Sequence, residues 1–139
     1  MEMLECGYAS VGEFHSVHHQ SGGQNYENIA EASCRIINAA QKTGIGLTYL
    51  PVFYMQGGLN GKKLAEGQLR FGNELEQYLR ILDQTQNSLR NAPKDYLLGM
   101  APHSLRAVSP EFLKEIVEAR SFDTVHIQIA EQLKEVEEI

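Results

Sequence analysis

The sequence predicts an α/β protein built on parallel strands. Three observations carry this reading. Strand-like apolar runs and helical stripes alternate four times along the 139 residues, the order that parallel strands with helical crossovers produce. The run Gly46–Val52 is almost wholly apolar, as a strand covered on both faces requires. The unusual polar residues follow the strands, at His15–Gln20, Phe53–Gly61, His103–Arg106 and Gln128–Glu131. A barrel collects such residues on one rim, at the carboxyl ends of its strands.

The first strand is expected over Tyr8–Phe14, with His15, His18 and His19 beyond its end. Three close histidines invite a metal reading. His15 and His18 do not share a strand face, and no Cys or carboxylate completes a finger spacing, so loop or site-lining roles are preferred. A helix should start at Asn28, with Glu31 as the second half of a capping pair. Ile29, Ala32, Ile36, Ile37 and Ala40 recur at helical spacing as its inner face, and Gly44 is placed to end it in the left-handed conformation.

After the strand Gly46–Val52, the Phe53–Gly61 loop holds Gly57, Gly58 and Gly61. No Gly-Lys-Ser/Thr follows, so it is no phosphate loop. The segment Glu66–Phe71 stands beside a site or apart from it; periodicity does not decide. Asn73 and Glu76 repeat the capping pattern, and Leu75, Tyr78, Leu79 and Leu82 form the stripe of the next helix. A third strand is expected at Tyr96–Ala101. Ser109 and Pro110 then open a helix as cap and first-turn proline, with Phe112, Leu113, Ile116 and Val117 as its inner face.

The last strand, from Thr124, is expected to be short and buried, with Val125, Ile127 and Ile129 on one face and His126 and Gln128 on the other. Polar groups there line a site or simply hydrogen-bond within a core; the stretch alone does not choose. A final acidic helix is expected over Glu131–Ile139.

Composition narrows the function. Hydrophobic residues make up 42% and charged residues 22%, a globular balance. The net charge of −6 argues against a nucleic-acid surface, which needs a clustered basic face. Cys6 and Cys34 are far apart, form no metal spacing and fit a reducing compartment. No signal peptide is expected at the N-terminus and no apolar run is long enough to span a membrane, so a cytoplasmic location is expected. His103 and Arg106 are the most informative polar pair. Arg is a planar, permanent cation suited to gripping a carboxylate, and His103 adds a donor or a titrating group. A surface Arg beside a loop His is the plainer alternative. Glu131 fits a proton carrier or a solvated charge at a helix start.

Five motif segments carry a family resemblance: Gly12-Glu13-Phe14-His15 with Val17-His18-His19; Gly44 through Val52; Glu66-Gly67-Gln68 with Arg70-Phe71; His103-Ser104-Leu105-Arg106-Ala107-Val108; and His126 through Gln132 with Glu135-Val136. Together they resemble formimidoylglutamate deiminase, an iminohydrolase of the amidohydrolase superfamily. The resemblance implies a (β/α)8 TIM-type barrel with one zinc. It implies a metal-activated water attacking the formimino carbon of N-formimino-L-glutamate, with release of ammonia and N-formyl-L-glutamate in histidine degradation. It places His103 and Arg106 at substrate-binding positions, Glu131 at the proton-transfer acid, and Gln128 at a zinc-ligand position.

The chain departs from the family at places that matter. The family pattern is His-Ile-His-Ile-Ala-Glu, and its second His binds zinc; here that residue is Gln128. A glutamine amide is a poor zinc ligand beside imidazole, and His126 lies roughly 6–7 Å deeper along a strand. Ser16 stands where family members carry a tyrosine. The superfamily's His-x-His of strand one, His of strand six and Asp of strand eight have no counterpart in place. The chain is therefore expected to hold strands two to five of a partial barrel, as a single fragment over residues 1–139. It is expected to bind no zinc alone, and to associate as a homo-oligomer because four strands cannot close a barrel. The competing expectation is a non-catalytic binding or assembly protein derived from this fold. A nucleobase aminohydrolase is disfavoured, because a neutral base needs no carboxylate clamp.

Overall fold

The computed structural model describes residues 1–138. A short helix α1 (Glu2–Glu5) precedes strand β1 (Ser10–His15), helix α2 (Glu31–Thr43) and strand β2 (Gly46–Phe53). Helix α3 (Leu75–Leu89), strands β3 (Tyr96–Leu98) and β4 (Ala101–Pro102), helix α4 (Pro110–Ala119) and helix α5 (Leu133–Glu138) complete the order, with one 3-10 turn at Glu66–Gln68. Every pairing between strands is parallel, and β2 is central, with β1 on one side and β3 and β4 on the other. The α/β class with a parallel sheet follows directly.

β3 and β4 are one strand in geometry. Leu47 faces Tyr96 and Val52 faces Ala101, an offset of 49 residues on both sides of the break. The break lies opposite Pro51, which brings no N–H to the ladder. Gly99 sits in it, donating to the Tyr49 carbonyl at 2.9 Å. A Cβ at Gly99 would meet the Thr124 carbonyl oxygen at 2.8 Å and a Leu50 methyl at 2.5 Å, so glycine here permits a close backbone approach. That approach seats the next segment: Met100 N–H donates to Thr124 O at 3.0 Å, and His126 N–H to Met100 O at 2.9 Å.

The core divides between the faces of β2. On the helix side Leu47 and Tyr49 pack with Ile37, Ala40 and Leu89, while Phe53 packs with Tyr78, Leu82, Met100 and Ile116. On the other side Leu50, Val52 and Ala101 form a smaller cluster with Phe14 and Tyr54. This double coverage is why β2 reads as a continuous apolar run.

Local signals predicted two helix ends correctly. Gly44 ends α2 at φ 78°, and the Ser109 side chain accepts from Phe112 N–H with Pro110 at the first turn of α4. Asn28 is not the α2 cap; the helix begins at Glu31 after Ala30, and the Asn28 side chain accepts from Ala30 N–H at 3.0 Å just before it. Asn73 is not the α3 cap either. That residue is Glu74, and Asn73 is drawn into a tertiary network described below. Val117, expected inside, is 53% exposed, and the inner face of α4 is Ile116 with half-buried Phe112 and Leu113.

The Thr124 segment is also corrected. It forms a single parallel bridge, Met100 to Val125, rather than a full strand. With a neighbour on one side only it is not buried: Val125 is 52% and Ile129 73% exposed. The expected last helix spans Leu133–Glu138, and Ile139 lies outside the described residues.

Candidate functional site

The carboxyl ends of the strands are held side by side by backbone bonds. His103 N–H donates to Phe53 O at 3.0 Å, and Gln128 N–H donates to His103 O at 2.9 Å. Three successive chain segments thus deliver Tyr54, His103 and Gln128 to one rim. The turn after β4 is tied to the loop after β2 as well, since Met55 N–H and Gln56 N–H both donate to Ala107 O, at 2.9 and 3.0 Å.

His103 is half-buried on this rim. Its Nδ1 lies 3.0 Å from the hydroxyl of fully buried Ser104. Its ring meets Tyr54 edge-on at 4.8 Å and lies 5.8 Å from Phe14. Burial, with the Arg106 guanidinium adding to it, pushes its pKa below the ordinary 6.5, while Glu131 and Glu135 pull the other way. The ring is therefore neutral at pH 7 and serves as a hydrogen-bonding group rather than a cation.

Arg106 meets two carboxylates. Its Nε donates to Glu135 Oε2 at 3.1 Å and its Nη2 donates to Glu131 Oε2. Glu135 is 2% exposed, and its Oε2 also accepts the Glu131 N–H at 3.1 Å. One buried oxygen thus ties the guanidinium to the backbone of Glu131. The second oxygen, Oε1, is buried without a hydrogen-bond partner. Arg106 and Glu135 open onto a cavity of about 400 Å³ lined among others by Tyr54, Lys62 and Gln68. Gln68 reaches it by donating from Nε2 to the Tyr54 hydroxyl at 2.9 Å.

The histidines after β1 divide into two kinds. His18 and His19 are buried pins. His18 Nε2 donates to Val52 O at 2.8 Å, completing β2 where β1 has ended, and burial lowers its pKa to about 3. His19 Nε2 donates to Asn73 Oδ1 at 2.8 Å, and both backbone N–H groups go to Arg70 O. His15 is half-buried beside Tyr49, with Nδ1 3.3 Å from Glu13 Oε1.

The structure thus brings together His103, Arg106 and Glu131, and places Gln128 next to His103 through the backbone. Glu135, Tyr54, Lys62 and Gln68 join them without having been assigned roles in advance. For Glu135 a signal existed: it follows Glu131 by four residues, the spacing that puts two side chains on one helical face.

Among the described residues, the side chains at this rim do not assemble a zinc-ligand set. Gln128 Oε1 is buried without a partner, so an acceptor faces inward where the family pattern has an imidazole. No group of three or more His, Cys, Asp or Glu able to hold a metal occurs among the described residues.

The fold is similar to that of a solved amidohydrolase. A crystal structure of an amidohydrolase from Brucella melitensis matches 98% of this chain at 45% identity with a TM-score of 0.93, over 30% of its own length. More particularly, the chain is similar to the formimidoylglutamate deiminase of Pseudomonas aeruginosa, 47% identical over 139 residues, which are 99% of this chain and 30% of that relative. The resemblance drawn from the motifs holds along nearly the whole sequence, and the chain spans about 30% of the length of the proteins it matches. No family model matches the chain. Among the described residues no helix is long and apolar enough to cross a membrane.

Proposed function

We propose that this chain is a single portion of a formimidoylglutamate deiminase-like hydrolase, corresponding to about strands two to five of a (β/α)8 barrel. The observation that carries this reading is Arg106, which lines a cavity at the carboxyl ends of parallel strands, with Glu131 on its guanidinium and His103 near enough to feel both charges. Arg106 is the clamp for a carboxylate of N-formimino-L-glutamate, because a planar guanidinium offers paired donors to a carboxylate. Neutral His103 adds a hydrogen bond, and Glu131 moves the proton in deimination to N-formyl-L-glutamate and ammonia. In the complete family enzyme, a step of histidine degradation, zinc supplies the activated water. The donor set here does not fit that ion, so no step of this chain is routed through it, and the chain alone is inactive. The reading includes a cytoplasmic location, no nucleic-acid or membrane partner, and a homo-oligomer formed through the exposed side of the Thr124 segment.

Gln128 and the lack of a metal-holding cluster among the described residues favour a second reading. In it the chain is a non-catalytic binding or assembly protein derived from the same fold. Two measurements separate the readings. Calorimetric titration with N-formimino-L-glutamate should give saturable binding that Arg106→Gln abolishes; no binding by the native chain favours the assembly role. Ammonia release should equal the buffer blank. Turnover that follows the purified protein and vanishes in Glu131→Gln would show that the chain is active alone. Elemental analysis after dialysis should find far less than one zinc per chain.

A further inference from the structure

Arg106 is already occupied. Glu135 holds its Nε from a buried position, while Glu131, with a side chain 49% exposed, holds Nη2 from the solvent side. The two carboxylates differ in what fixes them. Glu135 is packed into the fold at 2% exposure. Glu131 is carried on a turn whose preceding residue, Ala130, has φ 58°. That is the left-handed region, which a residue with a Cβ occupies only at a cost and only where its surroundings enforce it. Among the described residues this turn is held by the Glu131 side chain on Arg106 and the Glu131 N–H on Glu135.

We propose that Glu131 is an internal stand-in for a ligand carboxylate. A small carboxylate or dicarboxylate arriving in the cavity takes the Nη2 side of Arg106 from Glu131, and Ala130 is the hinge that relaxes as Glu131 leaves. Glu135 stays, because its oxygen is desolvated and shared with the backbone. The inference rests on the reading of Arg106 as a carboxylate clamp and extends it. The proton carrier is parked on the clamp while the clamp is empty, and is released only when a carboxylate fills it. A ligand must compete with an ion pair whose Glu131 side lies half in solvent, and screening there keeps it weak enough to be displaced.

The test uses the full chain and glutarate, titrated by calorimetry at low salt, with circular dichroism to verify the fold of each variant. Glu131→Gln removes the competing charge and should bind glutarate about fivefold tighter than the native chain, the upper range for an exposed pair. Ala130→Gly removes the strain of the parked state and should weaken binding about two- to threefold. Arg106→Gln should abolish it. Glutarate binding that is unchanged or weaker in Glu131→Gln, yet lost in Arg106→Gln, overturns the displacement and leaves the clamp standing. Absence of glutarate binding in both the native chain and Glu131→Gln overturns the clamp and the displacement together. Should Glu131→Gln fail to fold, Ala130→Gly decides, and unchanged or tighter binding there overturns the proposal.

Discussion

The two ends of the sheet are built to different standards. Around β2, with α2 and α3 behind it, side chains are buried on both faces, and polar groups such as His18, His19 and Asn73 find partners inside. From Thr124 onward the chain makes one bridge, leaves Val125, Ile129, Leu133 and Val136 more than half exposed, and holds its turn with an arginine and two glutamates. The difference teaches where each kind of force works. Burial fixes the scaffold and seats His103 and Arg106 on it, while an ion pair and hydrogen bonds hold Glu131. The candidate site spans the border between the two regions: Arg106 and His103 come from the packed side and Glu131 from the loose side.

The largest effect should come from the packed region. Phe53 is fully buried and stacks on Tyr78 at a centroid distance of 4.8 Å. Phe53→Ala should cost about 3–5 kcal/mol in urea denaturation, whereas Ile129→Ala, at a residue 73% exposed, should stay within about 0.5 kcal/mol. Similar losses for both would mean that the loose region is covered in solution. Sedimentation across a concentration series addresses the same point. Association should strengthen with concentration and weaken in Val125→Lys, because a charge on that apolar surface opposes its burial. A cooperative monomer at every concentration would show that the exposed side is stable uncovered.

A second, smaller effect concerns pH. His18 is neutral in the folded chain, with a pKa near 3 against the ordinary 6.5. Between those values the unfolded chain binds the extra proton, so stability falls as pH falls through this window, by at most about 1.4 kcal/mol per pH unit. Above pH 6.5 this contribution is complete. In His18→Gln the amide can still donate to the Val52 carbonyl but does not titrate. Urea midpoints measured from pH 7 to 5 should therefore slope less in the variant than in the native chain. Equal slopes would place the pH sensitivity elsewhere, in the ion pairs of the loose region.

The same division explains what could be read from the sequence. Gly44 and the Ser109–Pro110 pair were legible because their roles are local: a left-handed cap and an N-terminal cap act within a few residues. β2 was legible because burial on both faces writes a continuous apolar run. Asn73 was misread because its capping pattern competed with a tertiary partner, and the buried imidazole of His19 took its side-chain oxygen. The alternation of Val125, Ile127 and Ile129 was real, but alternation does not say how many neighbours a strand has, and this one has a single bridge. His103, Arg106 and Glu131 were picked out by residue type and by the family resemblance. Arg106 and Glu131 also meet through Glu135, a contact between positions 106 and 135 that no periodicity reports.

The smallest effect compares two left-handed residues, one in each region. Gly44 has φ 78° and no atom within 4 Å of the position a Cβ would take, so Gly44→Ala adds backbone strain without a clash. It should cost about 1 kcal/mol. Ala130 has φ 58° and already bears that strain. Ala130→Gly removes it but gives the unfolded chain more freedom, and the two contributions oppose each other. The net should be a gain of about 0.5 kcal/mol or less, opposite in sign to the Gly44 variant. Chemical denaturation of both, read beside the native chain, checks the pair. A loss of more than about 0.5 kcal/mol in Ala130→Gly would mean that the turn before Glu131 is held by more than Arg106 and Glu135, and that the loose end of the sheet is firmer than its single bridge implies.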